Sequence, residues 1–184
     1  MTDTLKDGSQ INIFESASIM RYVCDNYLPE DNEFYPRNCS ISRAKVDERL
    51  TYYHKIVRPG ARSFYAKTLA PLQGQSEFFD IDHENKCSVE IAAKIDSVLK
   101  QNGGFFVKKG VRTLADYLIL NDVEQYTWGG CTLNHLENLV NWMEWMIQSE
   151  GVQLSHRKYK WLMREMTGEL TNPYDINLLK YDLN

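Results

Sequence analysis

The residues most able to do chemistry stand at a corner. In INIFESASIMRYV, alternating Ile11 and Ile13 give way at Phe14-Glu15-Ser16 to apolar residues at helical spacing, Ile19, Met20, Val23 and Tyr27. A helix N-terminus offers unpaired N–H groups at the positive end of the helix dipole, and a carboxylate beside it adds an anionic acceptor. Ser16 with those N–H groups and Glu15 next to them could therefore hold the two charged ends of an amino acid. A serine that simply caps a helix uses the same position, so the corner alone leaves both readings open.

Other reactive side chains form no such group. His54, His83, His135 and His156 lack metal-ligand spacing, and no metal is expected. Cys24, Cys39, Cys87 and Cys131 contain no C-x-x-C pair and read as free thiols of a reducing compartment, with Cys24 packed and inert. Asn38-Cys39-Ser40 fits a glycosylation sequon by chance. Thr113-Leu114-Ala115-Asp116 reads as a structural capping box, Thr113 accepting from the Asp116 backbone and the Asp116 carboxylate reaching back to the Thr113 N–H.

The elements that must position these residues follow from composition and pattern. The chain has 184 residues, 43% hydrophobic and 25% charged, with a net charge of −4, so it can bury a core without staples and suits neither disorder nor a nucleic-acid partner. No apolar run is long enough to span a bilayer and the polar start lacks a signal-peptide core, which predicts a cytoplasmic protein without a membrane anchor. The basic run His156-Arg157-Lys158-Tyr159-Lys160 reads as a solvated helix face.

Strands are expected only at the start, Thr4-Leu5 and Gln10 to Phe14 around a Lys6-Asp7-Gly8-Ser9 turn. A first helix ends before Pro29, and a linker follows. A long helix from Ser40 or Ser42 is kinked or interrupted by Pro59-Gly60. A helix carrying Val89, Ala92, Ile95 and Leu99 ends at Asn102-Gly103-Gly104. Three more helices are expected: one opened by Thr113, one over Leu133 to Gln148 and one over Ser155 to Met166.

On these residues the chain resembles a known family. LKDGSQINIFESASIMRYVCDNY is similar to the hairpin and following helix of cytosolic glutathione transferases, most of all the theta class. FYPRNCSISRAKVDERLTYYH resembles that class's linker and the first helix of its C-terminal domain. TLADYLILNDVEQ and LENLVNWMEWM resemble the central capping-box helix and the helix after it. Four weak motifs in one order make a specific pattern.

The resemblance implies a mainly α fold: an all-helical glutathione-transferase C-terminal domain preceded by the last hairpin and helix of a thioredoxin-like domain. The implied parts are a thioredoxin-like remnant at 1–28, a linker at 29–39, the all-α domain at 40–170 and a tail at 171–184. It implies glutathione as co-substrate rather than a cofactor, with Ser16 taking the γ-glutamyl carboxylate and Glu15 the amino group. Arg58 and Arg62 are implied to face a small hydrophobic electrophile with an anionic or sulfonyl leaving group, although a surface arginine suits either position.

The resemblance also implies what is missing. The family's cis-proline position falls on Asp3, and the strands bearing its thiol-activating residue have no counterpart, so no catalytic residue is assigned. The expectation is an N-terminally truncated transferase, weak or inactive as given, that forms a homodimer through its open hairpin edge and the Ile19-Met20-Val23 face. The alternative is a non-catalytic binding or interaction module of the same fold.

Overall fold

The computed structural model describes residues 1–155. The basic run at 156–160, the tail at 171–184 and nearly all of the helix expected over Ser155 to Met166 lie outside the described residues; a helical stretch begins earlier, at residue 150. The described chain is mainly helical.

Strands β1 (Thr2–Thr4) and β2 (Gln10–Asn12) pair antiparallel, with Asp3 opposite Ile11. The first strand lies earlier than the pattern predicts because Leu5 closes the turn: its N–H bonds the Ser9 carbonyl at 2.8 Å, and its own carbonyl takes the Gly8 N–H. Asp7 accepts from the Ser9 N–H at 2.9 Å, and Gly8 supplies the left-handed φ of 83° that the turn requires. Helix α1 (Ser16–Tyr27) follows. Asp3 ties the hairpin to it by accepting from the hydroxyls of Tyr22 at 2.8 Å and Tyr27 at 2.6 Å.

The inward face of α1 differs from the predicted stripe. Ala17 and Cys24 are buried, with Met20 and Leu28 packed beside them, whereas Val23 and Tyr27 are exposed. Ala17 and Cys24, at i and i+7, are the small side chains that let α1 approach the central helix α6, with Met20 and Leu28 flanking them.

Helix α2 (Ser40–Tyr52) has Cys39 at its N-cap in place of either predicted serine. It continues without a break into a run of changing helical type. A π turn (Tyr53–Val57) leads to a 3-10 turn (Arg58–Ala61), then α3 (Arg62–Phe64), a second π turn (Tyr65–Leu69) and α4 (Ala70–Leu72). Pro59 has no N–H to donate, and the chain tightens there instead of breaking. Gly60 is buried so closely against Tyr126 that a Cβ would lie 2.5 Å from the ring, and the Tyr126 hydroxyl donates to the Val57 carbonyl.

Helix α5 (Ile81–Gln101) is N-capped by Asp80, whose carboxylate accepts from the His83 N–H at 3.1 Å. It ends where the Gly104 N–H reaches back to the Leu99 carbonyl, with Gly103 and Gly104 both at positive φ. Helix α6 (Leu114–Trp128) runs through the core, burying Leu114, Leu118, Ile119, Val123 and Tyr126. At its start the Asp116 carboxylate accepts from the Thr113 N–H at 2.8 Å and the Thr113 hydroxyl at 2.5 Å, and also from Trp142 Nε1 at 3.0 Å.

Helix α7 (Glu137–Met146) is shorter than predicted. Its entry is fixed from α5, where Asp96 accepts from the Leu139 N–H at 2.9 Å and from Asn138 Nδ2 at 3.1 Å. Residues Leu50, Ile95, Leu99, Leu133 and Leu139, all 0% exposed, close the core between these helices. Each such side chain contributes about 1.5–3 kcal/mol.

Candidate functional site

The corner between β2 and α1 carries the one non-glycine residue at positive φ among the described residues. Glu15 sits at φ 69° and ψ 118°, outside the regions a side chain ordinarily allows. That backbone turns the chain sharply enough for Ser16 to be the first helical residue, so Glu15 and not Ser16 occupies the N-cap. The first helical bond runs from the Ile19 N–H to the Glu15 carbonyl, leaving the N–H groups of Ser16, Ala17 and Ser18 ahead of it. No side chain caps the helix and no acidic residue lies in its first turn, so its positive end is not neutralised there. Glu15 and Ser16 are both exposed.

A strained backbone at such a corner costs about 1–3 kcal/mol and persists where its surroundings over-determine it. The arrangement can receive an anionic group on the helix N-terminus with an acid one residue away.

Arg58 stands on the 53–61 segment, within long-range electrostatic reach of Glu15. Its Nη1 donates to the Tyr53 hydroxyl at 3.0 Å. That bond, with Asp122 and Glu15 as more distant anions, holds the guanidinium more firmly cationic than usual. The Tyr53 side chain is buried and its edge meets the His54 ring at 5.0 Å between centroids. Burial raises the Tyr53 phenol's pKa, and the Asp122 carboxylate raises it further.

Asp122, on α6, is 4% exposed. Burial pushes its carboxyl up to about 6, against the opposing pull of Arg58, Tyr53, His54 and Gln125. Oδ1 accepts from Gln125 Nε2 at 3.2 Å, whereas Oδ2 is buried without a hydrogen-bond partner. The Tyr53 hydroxyl approaches closely enough for the two groups to perturb each other, short of a full bond.

Arg62 goes elsewhere. Its Nη2 pairs with Glu84 Oε1 on α5 at 3.0 Å, and its guanidinium lies 5.6 Å from the Phe79 ring centroid. Of the two arginines, Arg58 bonds Tyr53 and feels the Glu15 charge only at long range, and Arg62 is already matched by Glu84. Thr113 and Asp116 are set in the core at the head of α6, away from solvent.

Sequence reasoning did not single out Asp122 as a member of this group. Its signal was present: a carboxylate on the Ile119, Val123, Tyr126 stripe of an apolar helix is a charge where a hydrophobe belongs. Cys24 is buried and its thiol is pushed up to about 11 by desolvation, which removes it as a nucleophile at neutral pH. Among the described residues no group of three or more His, Cys, Asp or Glu side chains is placed to hold a metal ion, and no helix is long and apolar enough to cross a membrane.

No protein-family model matches the chain. Over 62 residues it is 44% identical to a protein described as glutathione S-transferase 2 from Anopheles gambiae. The match takes in 34% of this chain and 29% of that relative's own length. The similarity to a glutathione S-transferase is therefore partial.

Proposed function

We propose that the chain is a theta-like glutathione transferase-type protein whose α1 corner binds the γ-glutamyl end of glutathione. The observation that carries this reading is the strained Glu15 backbone, which presents an uncapped helix N-terminus beside a carboxylate. The partial similarity to a glutathione S-transferase supports the choice of glutathione among molecules with an amino-acid end. In this reading the glutamyl carboxylate lies on the Ser16 hydroxyl and the first-turn N–H groups, and the ammonium lies on Glu15. The hairpin and α1 then correspond to the end of a thioredoxin-like unit. Arg58 faces a small hydrophobic electrophile and attracts its anionic leaving group. Detoxification in the cytoplasm as a two-fold dimer completes the proposal.

Glutathione's thiol has an ordinary cysteine-like pKa and is only a few per cent thiolate at neutral pH unless a donor lowers it. No such donor is assigned in this chain. Loss of one preorganised donor already costs about a hundredfold or more in rate. With no donor assigned among the described residues, the expectation is glutathione binding with conjugation to an aryl halide within about tenfold of the uncatalysed rate.

Calorimetric titration with glutathione, on the wild type and on Ser16→Ala and Glu15→Gln, tests the binding. The expected result is a saturable signal weakened about tenfold in each variant, the effect of losing one charge-assisted hydrogen bond. Absence of wild-type binding, or binding in both variants as tight as in the wild type, would remove the corner from the proposal.

A further inference from the structure

The Arg58, Tyr53 and Asp122 side chains form a chain of polar groups that glutathione binding at the corner does not explain. Arg58 Nη1 donates into the Tyr53 hydroxyl oxygen. A phenol that accepts there must direct its own proton elsewhere, and Tyr53 is only 2% exposed. The acceptor facing it is the Asp122 carboxylate, whose Oδ2 is buried and unpartnered. An unmatched carboxylate oxygen in the core is costly, and replacing it with an apolar group would ordinarily be favourable.

We infer that Asp122 is a positioning residue for Arg58: acting through the Tyr53 hydroxyl, its charge state sets how firmly the guanidinium is held back from an anionic ligand. With Asp122 ionised, the Tyr53 proton points to Oδ2, and the phenol oxygen and the carboxylate together retain Arg58. With Asp122 protonated, its own O–H competes for the Tyr53 oxygen and the attraction on Arg58 falls. The guanidinium is then free to turn outward, where it is exposed.

Burial places the Asp122 carboxyl at about 6, so the change occurs just below neutral pH. The other groups facing the cluster are His54 on the 53–61 segment, Gln125 and Tyr126 on α6, and Glu15 at the α1 corner. His54 is the other group beside the cluster whose charge bears on an anion, so it is tested separately. The inference rests on the reading that Arg58 faces an anionic part of the second substrate, and it names the regulation of that site.

The test uses the full chain, isotopically labelled, and follows the Arg58 Nε–H signal and the Asp122 carboxyl carbon by NMR from pH 4.5 to 8. Inorganic sulfate, which keeps its charge over this range, is the anion probe. The Arg58 signal is expected to move with the Asp122 midpoint. Asp122→Asn should abolish that movement, Tyr53→Phe should reduce it while Asp122 still titrates, and His54→Gln should leave it intact. Sulfate affinity at Arg58 should rise on the order of tenfold from pH 7.5 to 5, the effect of neutralising one nearby charge, and should stay flat in Asp122→Asn.

An Arg58 signal that ignores the Asp122 midpoint, or one that becomes flat in His54→Gln, overturns the inference. If Asp122→Asn fails to fold, Tyr53→Phe decides between the same outcomes. A sulfate-silent Arg58 that still follows Asp122 overturns the second-substrate reading and leaves the linkage standing.

Discussion

Replacing Asp116 with Ala removes one acceptor from three donors. The carboxylate, 1% exposed, takes the Thr113 N–H at 2.8 Å, the Thr113 hydroxyl at 2.5 Å and Trp142 Nε1–H at 3.0 Å. A lost helix cap alone would cost about 1 kcal/mol. Here two rigid donors, one on the backbone and one on an indole, lose their partner inside the core, at about 1–3 kcal/mol each. The threonine hydroxyl can rotate to another acceptor and adds little. Burial raises the Asp116 pKa, so removing the carboxylate also relieves part of its desolvation cost.

The net expectation is a loss of about 3 kcal/mol. Urea unfolding of the full chain, followed by circular dichroism, should show a lower midpoint at unchanged slope. Trp142→Phe removes this donor and also leaves a void beside Phe106, and should cost about 2–4 kcal/mol. The Asp116→Ala, Trp142→Phe double variant should then fall short of additivity by about 1 kcal/mol or more, because the two residues share a bond. A loss under about 1 kcal/mol for Asp116→Ala, or strict additivity, would show that the indole contact carries no energy.

Gly60→Ala should destabilise by about 2 kcal/mol and lower Tm by several degrees in calorimetry, since its Cβ would lie 2.5 Å from the Tyr126 ring; an unchanged Tm would mean that the α6 interface yields. Glu15→Gly should raise stability by about 1 kcal/mol through relief of its positive φ while weakening glutathione binding, and a variant that changes neither quantity would deny the corner its strain. The Asp122 carboxyl, raised from 3.8 to about 6, binds its proton more tightly in the folded chain, so its stabilising contribution is complete below about pH 4 and is lost as pH rises through 6. That loss amounts to about 3 kcal/mol, and Asp122→Asn should flatten it in urea midpoints compared at pH 4 and 7. Ile13→Asp should weaken concentration-dependent association in sedimentation, and an unchanged sedimentation profile would exclude the hairpin from any interface.

The helices were legible where the pattern was local. Asn102-Gly103-Gly104 marks the end of α5, and the Thr113 to Asp116 spacing marks the head of α6, because caps and left-handed turns are chosen by adjacent residues. The face of α1 was not legible. Ile19, Met20, Val23 and Tyr27 make the more hydrophobic stripe, but close approach to α6 selects the smaller Ala17 and Cys24. Nor does sequence spacing reveal that Asp80 caps α5 while Asp96, fifteen residues into that helix, holds the entry of α7, since the second contact exists only across the fold. At the site, Glu15 and Ser16 stand together in the chain. Asp122 joins Arg58 only through tertiary packing, and Arg62 is diverted by Glu84, a residue 22 positions later.

The π turns at Tyr53–Val57 and Tyr65–Leu69 make residue count a separate variable from residue identity. Each π turn holds about one residue more than an α turn, and one residue is worth about 100° of rotation. Arg58, directly after Val57, is therefore turned away from the face that regular spacing from Ser40 would give it. Removing Lys55 or Ile56 would restore ordinary winding with the site's chemistry almost unchanged, yet it would swing Arg58 off its heading and carry Gly60 out of its seat on Tyr126. The length of that turn is thus as much a part of the site as the side chains it bears, and a one-residue deletion there should do more harm than most substitutions.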